Sequence, residues 1–273
     1  MAIDLATKYS TVVDEKFRLA SLTNIGVNQN YDWDGVNSIH VYDISTAIMN
    51  NYTRNGGNRY GTPAEQDRDA TQYTLSRDRS FTQTIDQGNY DETMMVSAAG
   101  ESLSRQIAEV IIPEIDTWRL NAMAAGAGFT STPTPITAAN AFESLLDADS
   151  ELTNNKVPLQ GRVVFCTPNY FKFIRLDENF VKRGDLSQEM MINGVVGEAA
   201  GMAIVQAPTV YFPADVEFIV THPVATVAPI KLLDYRAHEN PPGINGWLLE
   251  GRTIYDAFVL KNKMGAVYVH KSA

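Results

Sequence analysis

Four histidines and a single cysteine are the residues best suited to covalent or metal chemistry in this sequence. The histidines are His40, His222, His238 and His270. No two share the spacing that sets a pair of imidazoles on one helix face, and none has the Cys or carboxylate neighbours of a zinc site. Cys166 lies in the apolar run Val163–Thr167, where a thiol reads as a small buried hydrophobe rather than a nucleophile. One cysteine also excludes an intrachain disulfide and a thiolate metal cage. Asp32, Asp34 and Gly35 resemble the opening of a calcium loop, but the remaining acidic ligands and the closing Glu are missing, so a turn is expected. Asp147, Asp149 and Glu151 fall on a predicted helix or its end and read as a solvated face, not as a paired acid and base. No G-x-S-x-G, P-loop or G-x-G-x-x-G occurs. Asn51–Thr53 matches a glycosylation acceptor and Arg183–Asp185 an adhesive tripeptide, both short enough to recur by chance. The chain is therefore expected to be no enzyme, with no catalytic, cofactor-binding or metal site.

The bulk numbers bound the class of protein. At 273 residues and 44% hydrophobic content the chain can bury a sizeable core in one large domain or two smaller ones. Its formal charge of −10, without a Lys/Arg cluster, argues against a nucleic-acid grip that works by displacing counterions. An acidic wall that only encloses DNA is compatible with it. No apolar run approaches the length of a membrane span, and Asp4 stands where a signal peptide needs basic residues. The expectation is a soluble protein of a reducing cytoplasm, with no membrane partner.

Residues 2–20 carry Ile3, Leu5, Tyr9, Val13 and Phe17 at near-helical spacing, an amphipathic arm too small to bury its own stripe. Residues 39–86 read as a long β-hairpin. Its first limb is Ile39–Thr53, its tip Arg54–Arg59 with Gly61–Pro63 is rich in turn formers, and its return limb Thr71–Asp86 alternates with period two. A two-stranded ribbon is marginal alone in water, so a neighbour should complete it. Asn89 and Glu92 have capping-box spacing and open a helix over Asp91–Ala125. Leu103, Ile107, Ile111, Ile115, Trp118 and Ala122 form its stripe, and Pro113 should bend it by removing the bond to Glu109.

After the linker Gly126–Pro135 the pattern turns α/β. Thr137 is expected to cap a helix through Leu152, Arg162–Thr167 to be a buried strand, and Pro168 to start a helix through Leu176. Asp177–Ile192 is polar and loop-like. Met202–Gln206 and Val216–Val220 read as strands. Ile230–His270 reads as β, most clearly at Ile254–Leu260 and Ala266–His270.

This order of parts resembles the Hong Kong 97-type fold of tailed-bacteriophage major capsid proteins. The phrases Met1–Tyr9, Arg59–Pro63, Arg77–Phe81 and Val110–Asp116 are similar to those of coat proteins from phages of Gram-positive hosts. Gly194–Met202, followed by Val205 and Pro208, is similar to a helix-into-strand step in that fold, and Ile254–Leu260 with Gly265–Tyr268 to its closing strands. The resemblance implies an α+β fold with an N-terminal arm (1–38), an extended hairpin loop (39–87), a spine helix with linker in a peripheral domain (88–135), an axial domain (136–225) and return strands (226–273).

It further implies a homo-oligomer of pentamers and hexamers, an icosahedral virion capsid assembled in the bacterial host cytoplasm around double-stranded DNA without sequence-specific binding. Its partners would be a separate scaffolding protein, a portal and in some cases a decoration protein. The scaffold is expected to be separate because the sequence opens directly on the arm. Lys16 is followed by no lysine until Lys156, so the loop lacks the amine used by members that cross-link covalently. Arg54, Arg59, Arg77 and Arg79, with Tyr9 and Phe17 of the arm, are the candidate subunit-interface residues. The arginines are expected to face a neighbour's carboxylates. The alternatives are an encapsulin-like compartment shell, which shares the fold, and a cytosolic hydrolase.

Overall fold

The computed structural model describes residues 21–28, 30–31, 38–44, 46–63, 65–66, 68–88, 98–176 and 195–272. The arm 2–20 with Tyr9 and Phe17, the turn at Asp34, the cap pair Asn89 and Glu92, and the loop 177–192 with Arg183–Asp185 lie outside them.

The described strands are β1 (Ser38–Ile44), β2 (Arg68–Thr74), β3 (Arg77–Asp86), β4 (Phe129–Thr130), β5 (Val163–Cys166), β6 (Val195–Ala199), β7 (Met202–Gln206), β8 (Val216–Thr221), β9 (Thr226–Val227), β10 (Ile230–Glu239), β11 (Gly246–Tyr255), β12 (Phe258–Val259) and β13 (Val267–Lys271). The longer helices are α1 (Ala98–Gln106), α2 (Ile112–Ala125), α3 (Ala141–Asn154) and α4 (Pro168–Leu176). A π-helical turn, Ile107–Ile111, joins α1 to α2.

The main core is a six-stranded mixed sheet in the order β4-β13-β8-β5-β7-β6. Successive residues of β5 point into different cores. Val163 and Phe165 pack with Leu120 and Met123 of α2. Val164 and Cys166 pack with Leu145, Leu152, Tyr170 and Ile174 of α3 and α4. Both faces are covered, which explains why Val163–Cys166 is continuously apolar rather than alternating.

The hairpin expectation holds for β1 and β2, which pair antiparallel from Ser38↔Thr74 to Ile44↔Arg68. Two corrections follow. The first limb stops being a strand at Ile44, and residues 46–63 carry no strand. The return limb is two strands in two sheets. It breaks at Leu75-Ser76, and β3 pairs over its whole length with β11, Gly246↔Asp86 through Tyr255↔Arg77. Alternation is the same on either side of the break, so the change of partner leaves no trace in the period.

Sheet β10-β11-β3 packs on the helix through Leu103, Ile107, Ile112, Ile115, Tyr235 and Tyr255. Gly251 lies between Phe81 and Tyr235, its cross-strand partners. A Cβ there would stand 2.2 Å from the Phe81 ring and 2.5 Å from the Tyr235 ring, so the two aromatics occupy the space of the missing side chain. The helix meets Pro113 with a π turn: the Ile112 amide donates to the Ile107 carbonyl five residues back, and Pro113 then sits in the first turn of α2. The extra residue shifts the stripe, so that Ile112 is buried and Ile111 only half-buried.

Four further expectations are corrected. Helix α3 begins at Ala141, because Asn140 turns its side chain back to accept the Thr137 amide (2.7 Å) and hydroxyl (3.0 Å). Gly194–Met202 is a hairpin and not a helix-to-strand step within its described part. Ala200 and Gly201, both at positive φ (51° and 75°), form a two-residue turn between β6 and β7. Ile254–Leu260 is broken at Asp256-Ala257, and Lys261–Ala266 is a 3-10 helix.

Candidate assembly surface

Several of the residues singled out for their chemistry take part in the fold, and others lie exposed on its strands. His222 accepts the Val224 amide at Nδ1 (3.2 Å) and meets the Gln160 carbonyl at Nε2 (3.0 Å). His238 lies 3.5 Å from Glu250 on the exposed face of the three-stranded sheet. His40 is exposed on β1. Cys166 is fully buried, and burial, helped by Glu217, pushes its thiol pKa far above the usual range. Asp149 corrects the solvated-face expectation. It pairs with the buried Arg162, which also donates to the carbonyls of Pro158 (2.9 Å) and Val157 (2.6 Å) and so fastens the end of α3 to the start of β5. Among the described residues no group of three or more His, Cys, Asp or Glu could hold a metal ion. Among them no helix is long and apolar enough to cross a membrane.

What stands out instead is the segment between β1 and β2. Ile48 is 88% exposed and Met49 94%, and Tyr52 and Tyr60 are exposed beside them. The two tyrosines meet edge-to-face with centroids 5.0 Å apart. Their contact closes a small loop in which the Thr53 amide donates to the Arg59 carbonyl (3.1 Å) and the Gly61 amide to the Asn58 carbonyl (2.9 Å). Arg54 is exposed at this tip, and Arg59 donates from Nε to the Gly56 carbonyl (3.3 Å). Sequence reasoning placed Ile48 and Met49 in the first strand limb, Ile39–Thr53, and so missed their exposure. Their signal is Ile48-Met49 in an otherwise polar stretch with no strand alternation to bury them.

Arg77 and Arg79 are not at the tip. They lie on the helix-facing side of β3 and have partners within the chain. The Arg77 guanidinium covers the Trp118 ring at 3.8 Å. Arg79 Nε meets Glu114 Oε1 at 2.8 Å, and Tyr255 donates its hydroxyl to the same oxygen (2.9 Å). Burial, and then Glu114, push the Tyr255 phenol upward. On the opposite face Arg252 takes both oxygens of Asp78 (2.9 and 2.6 Å), and that hydrogen bond lowers the Asp78 pKa.

The hairpin is held at its root. Asp256 accepts the Trp118 indole N–H, the Ala257 amide and, on its other oxygen, the Ser76 amide at the break between β2 and β3. Tyr73 stacks on Phe258 (4.4 Å) and its hydroxyl receives the Lys261 amide. A second buried cluster fastens residues 21–24 to α2. Asp116 accepts from the Ser21 and Thr23 hydroxyls (2.5 and 2.6 Å) and the Leu22 amide, while Arg119 donates to Ser21, Thr23 and Asn24. Burial lowers the Arg119 pKa to about 10 although Asp116 opposes this. A firmly anchored ribbon with bare apolar residues at its far end offers a surface that another molecule can cover.

Neither a protein-family model nor a curated protein sequence matches the chain. Solved structures do. The capsid of the cyanophage P-SCSP1u superposes with a TM-score of 0.68 at 13% identity, covering 93% of this chain and 88% of that one. The mature capsid of bacteriophage PhiM1 gives 0.67 at 14%, covering 94% and 86%. A virus-like particle from Pyrococcus furiosus gives 0.58 at 12%, covering 98% and 100%. The chain has the phage capsid fold. It is the mixed α+β fold that the order of parts implied, shared over about the whole of the chain although few residues are.

Proposed function

We propose that this chain is a shell-forming major capsid protein, a homo-oligomer arranged as pentamers and hexamers around double-stranded DNA in a virion. Besides the shared fold, the observation that carries this reading is the anchored hairpin whose tip leaves Ile48 and Met49 bare. A monomer gains nothing from such a surface, whereas a neighbouring copy that covers it removes apolar area from water at about 25 cal/mol per Å². In this reading residues 39–87 reach over a neighbour, 88–135 form the spine of a peripheral domain, 136–225 an axial domain, and 226–273 return to both. Arg54 and Arg59 at the tip, and Tyr9 and Phe17 on the arm, contact the neighbour. Arg77 and Arg79 hold the ribbon's own root. Scaffolding and portal proteins and a decoration protein belong to the same scheme, as does assembly in the host cytoplasm.

Gel filtration and electron microscopy of the purified chain test the proposal. Capsomers or closed particles are expected; a stable monomer under every assembly condition would overturn it. The likeness to a virus-like particle supports a second reading, a compartment shell that encloses protein. Particle contents separate the two, with DNA supporting the first and packaged protein the second.

A further inference from the structure

We infer that Asn55-Gly56 at the hairpin tip is a self-modification site, where the chain converts an asparagine to aspartate and isoaspartate without an enzyme. The Gly56 backbone nitrogen, after losing its proton to solvent, attacks Asn55 Cγ. The new C–N bond closes a five-membered imide, the Cγ–Nδ2 bond breaks, and ammonia leaves. Water then opens the ring. Opening at Cγ yields an ordinary aspartate in place of Asn55, and opening at the former backbone carbonyl yields isoaspartate, with the main chain rerouted through Cγ. One water is consumed and one ammonia released, with no redox change and no co-reactant.

The described residues hold two Asn-Gly pairs, and the structure separates them. Asn55 and Gly56 are both exposed, Gly56 has φ +96°, and a Cβ added at Gly56 or Gly57 would meet nothing within 4 Å. The peptide can therefore rotate until its nitrogen faces the side chain, and the imide has room. Arg54 is adjacent and Arg59 donates to the Gly56 carbonyl, so two positive charges stabilise the anionic nitrogen that attacks. Asn245-Gly246 has none of this freedom. The Gly246 amide donates to Asn240 Oδ1 (3.1 Å), the Asn245 carbonyl accepts the Gln87 amide (2.9 Å), and Gly246 is buried in β11. A Cβ at Gly246 would stand 2.1 Å from the Ile85 carbonyl oxygen. The same dipeptide is thus open at one place and locked at the other.

The product matters for the tip. A carboxylate replaces a neutral amide between Arg54 and Arg59. Isoaspartate also adds a backbone atom inside the loop closed by Thr53 and Arg59. The chemistry needs no second copy, so it is measured on the isolated chain and stands apart from the shell proposal.

The test incubates native protein at neutral pH for weeks and follows the chymotryptic peptide Thr53–Tyr60 by fragmentation mass spectrometry, which distinguishes Asn55 from Asn58. Isoaspartate is labelled with an isoaspartyl methyltransferase. Asn55 is expected to convert to a mixture of both products. Asn245 should convert at least about tenfold more slowly, because its strand must first open locally. Asn55→Gln should abolish the mass change at position 55, since its imide would need a six-membered ring. The inference is overturned if Asn55 stays intact while the free peptide Thr53–Tyr60 converts fully. It is equally overturned if Asn245 converts as fast as Asn55 in the native protein.

Discussion

The indole N–H of Trp118 donates to Asp256 Oδ1 across 2.9 Å, joining residues 138 apart in sequence. The other oxygen of Asp256 takes the Ser76 amide at 2.8 Å, so one buried carboxylate sets the root of the hairpin against the helix. Asp256→Ala leaves those donors without an acceptor. A loss of about 2–3 kcal/mol is expected in urea unfolding, with faster hydrogen exchange at the Ser76 amide. An unchanged midpoint would show that water replaces the carboxylate.

The Asp116–Arg119 cluster should behave as a unit. Both side chains are 1% exposed, and Arg119 Nη2 has no hydrogen-bond partner among the described residues. Asp116→Ala alone strands a buried cation and should cost about 3–5 kcal/mol. Adding Arg119→Met should recover part of that loss. Strictly additive losses in a double-mutant cycle would argue against the coupling.

His270 predicts a pH dependence. Its Nε2 faces the Thr134 carbonyl, which can only accept, so the proton sits on Nε2. Nδ1 is buried without a partner among the described residues, and the ring stacks on Phe218 at 4.9 Å. Burial pulls the pKa below 6.5, against opposing pulls from the Thr134 carbonyl, Glu217 and Asp147. The unfolded chain therefore takes up a proton at higher pH than the folded one. The contribution to stability is fully present above 6.5, falls as pH drops through the unfolded value, and levels off below the folded one. His270→Phe should flatten this part of the curve, measured as unfolding midpoints at neutral and mildly acidic pH.

Substitutions in the tip should separate folding from association. Ile48→Asp and Met49→Asp touch side chains that are 88% and 94% exposed, so stability should move by no more than about 0.5 kcal/mol. Particle yield should nevertheless collapse if a neighbour covers the tip. Normal particles from both variants would remove the tip from the interface.

Arg77→Glu and Arg79→Glu are different experiments, because both lose contacts inside the chain. Arg79→Glu sets a second carboxylate beside Glu114, and Arg77→Glu uncovers Trp118. Each should lower stability by about 1 kcal/mol, read as a lower unfolding midpoint. A midpoint equal to that of the unsubstituted chain would show that these contacts add nothing to its stability.

Neighbouring residues already determined much of this architecture. The apolar run Val163–Cys166 marked a strand covered on both faces, Pro168 marked a helix start, and the Gly- and Asn-rich stretch 54–61 marked a loop. These signals are local because they depend on the period of side chains along one segment. Long-range choices left no such mark. The alternation of Thr71–Asp86 is indifferent to whether its partner is β1 or β11, and only the tertiary structure divides it at Leu75-Ser76. Asp149 looks like a surface carboxylate until Arg162 is brought against it, and nothing local to Asp256 announces its contacts with Trp118 and Ser76. The bareness of Ile48 and Met49 is likewise a property of the fold, since an apolar side chain is exposed only relative to what the rest of the chain places over it. Pattern records what each segment can do; packing decides which partner removes it from water.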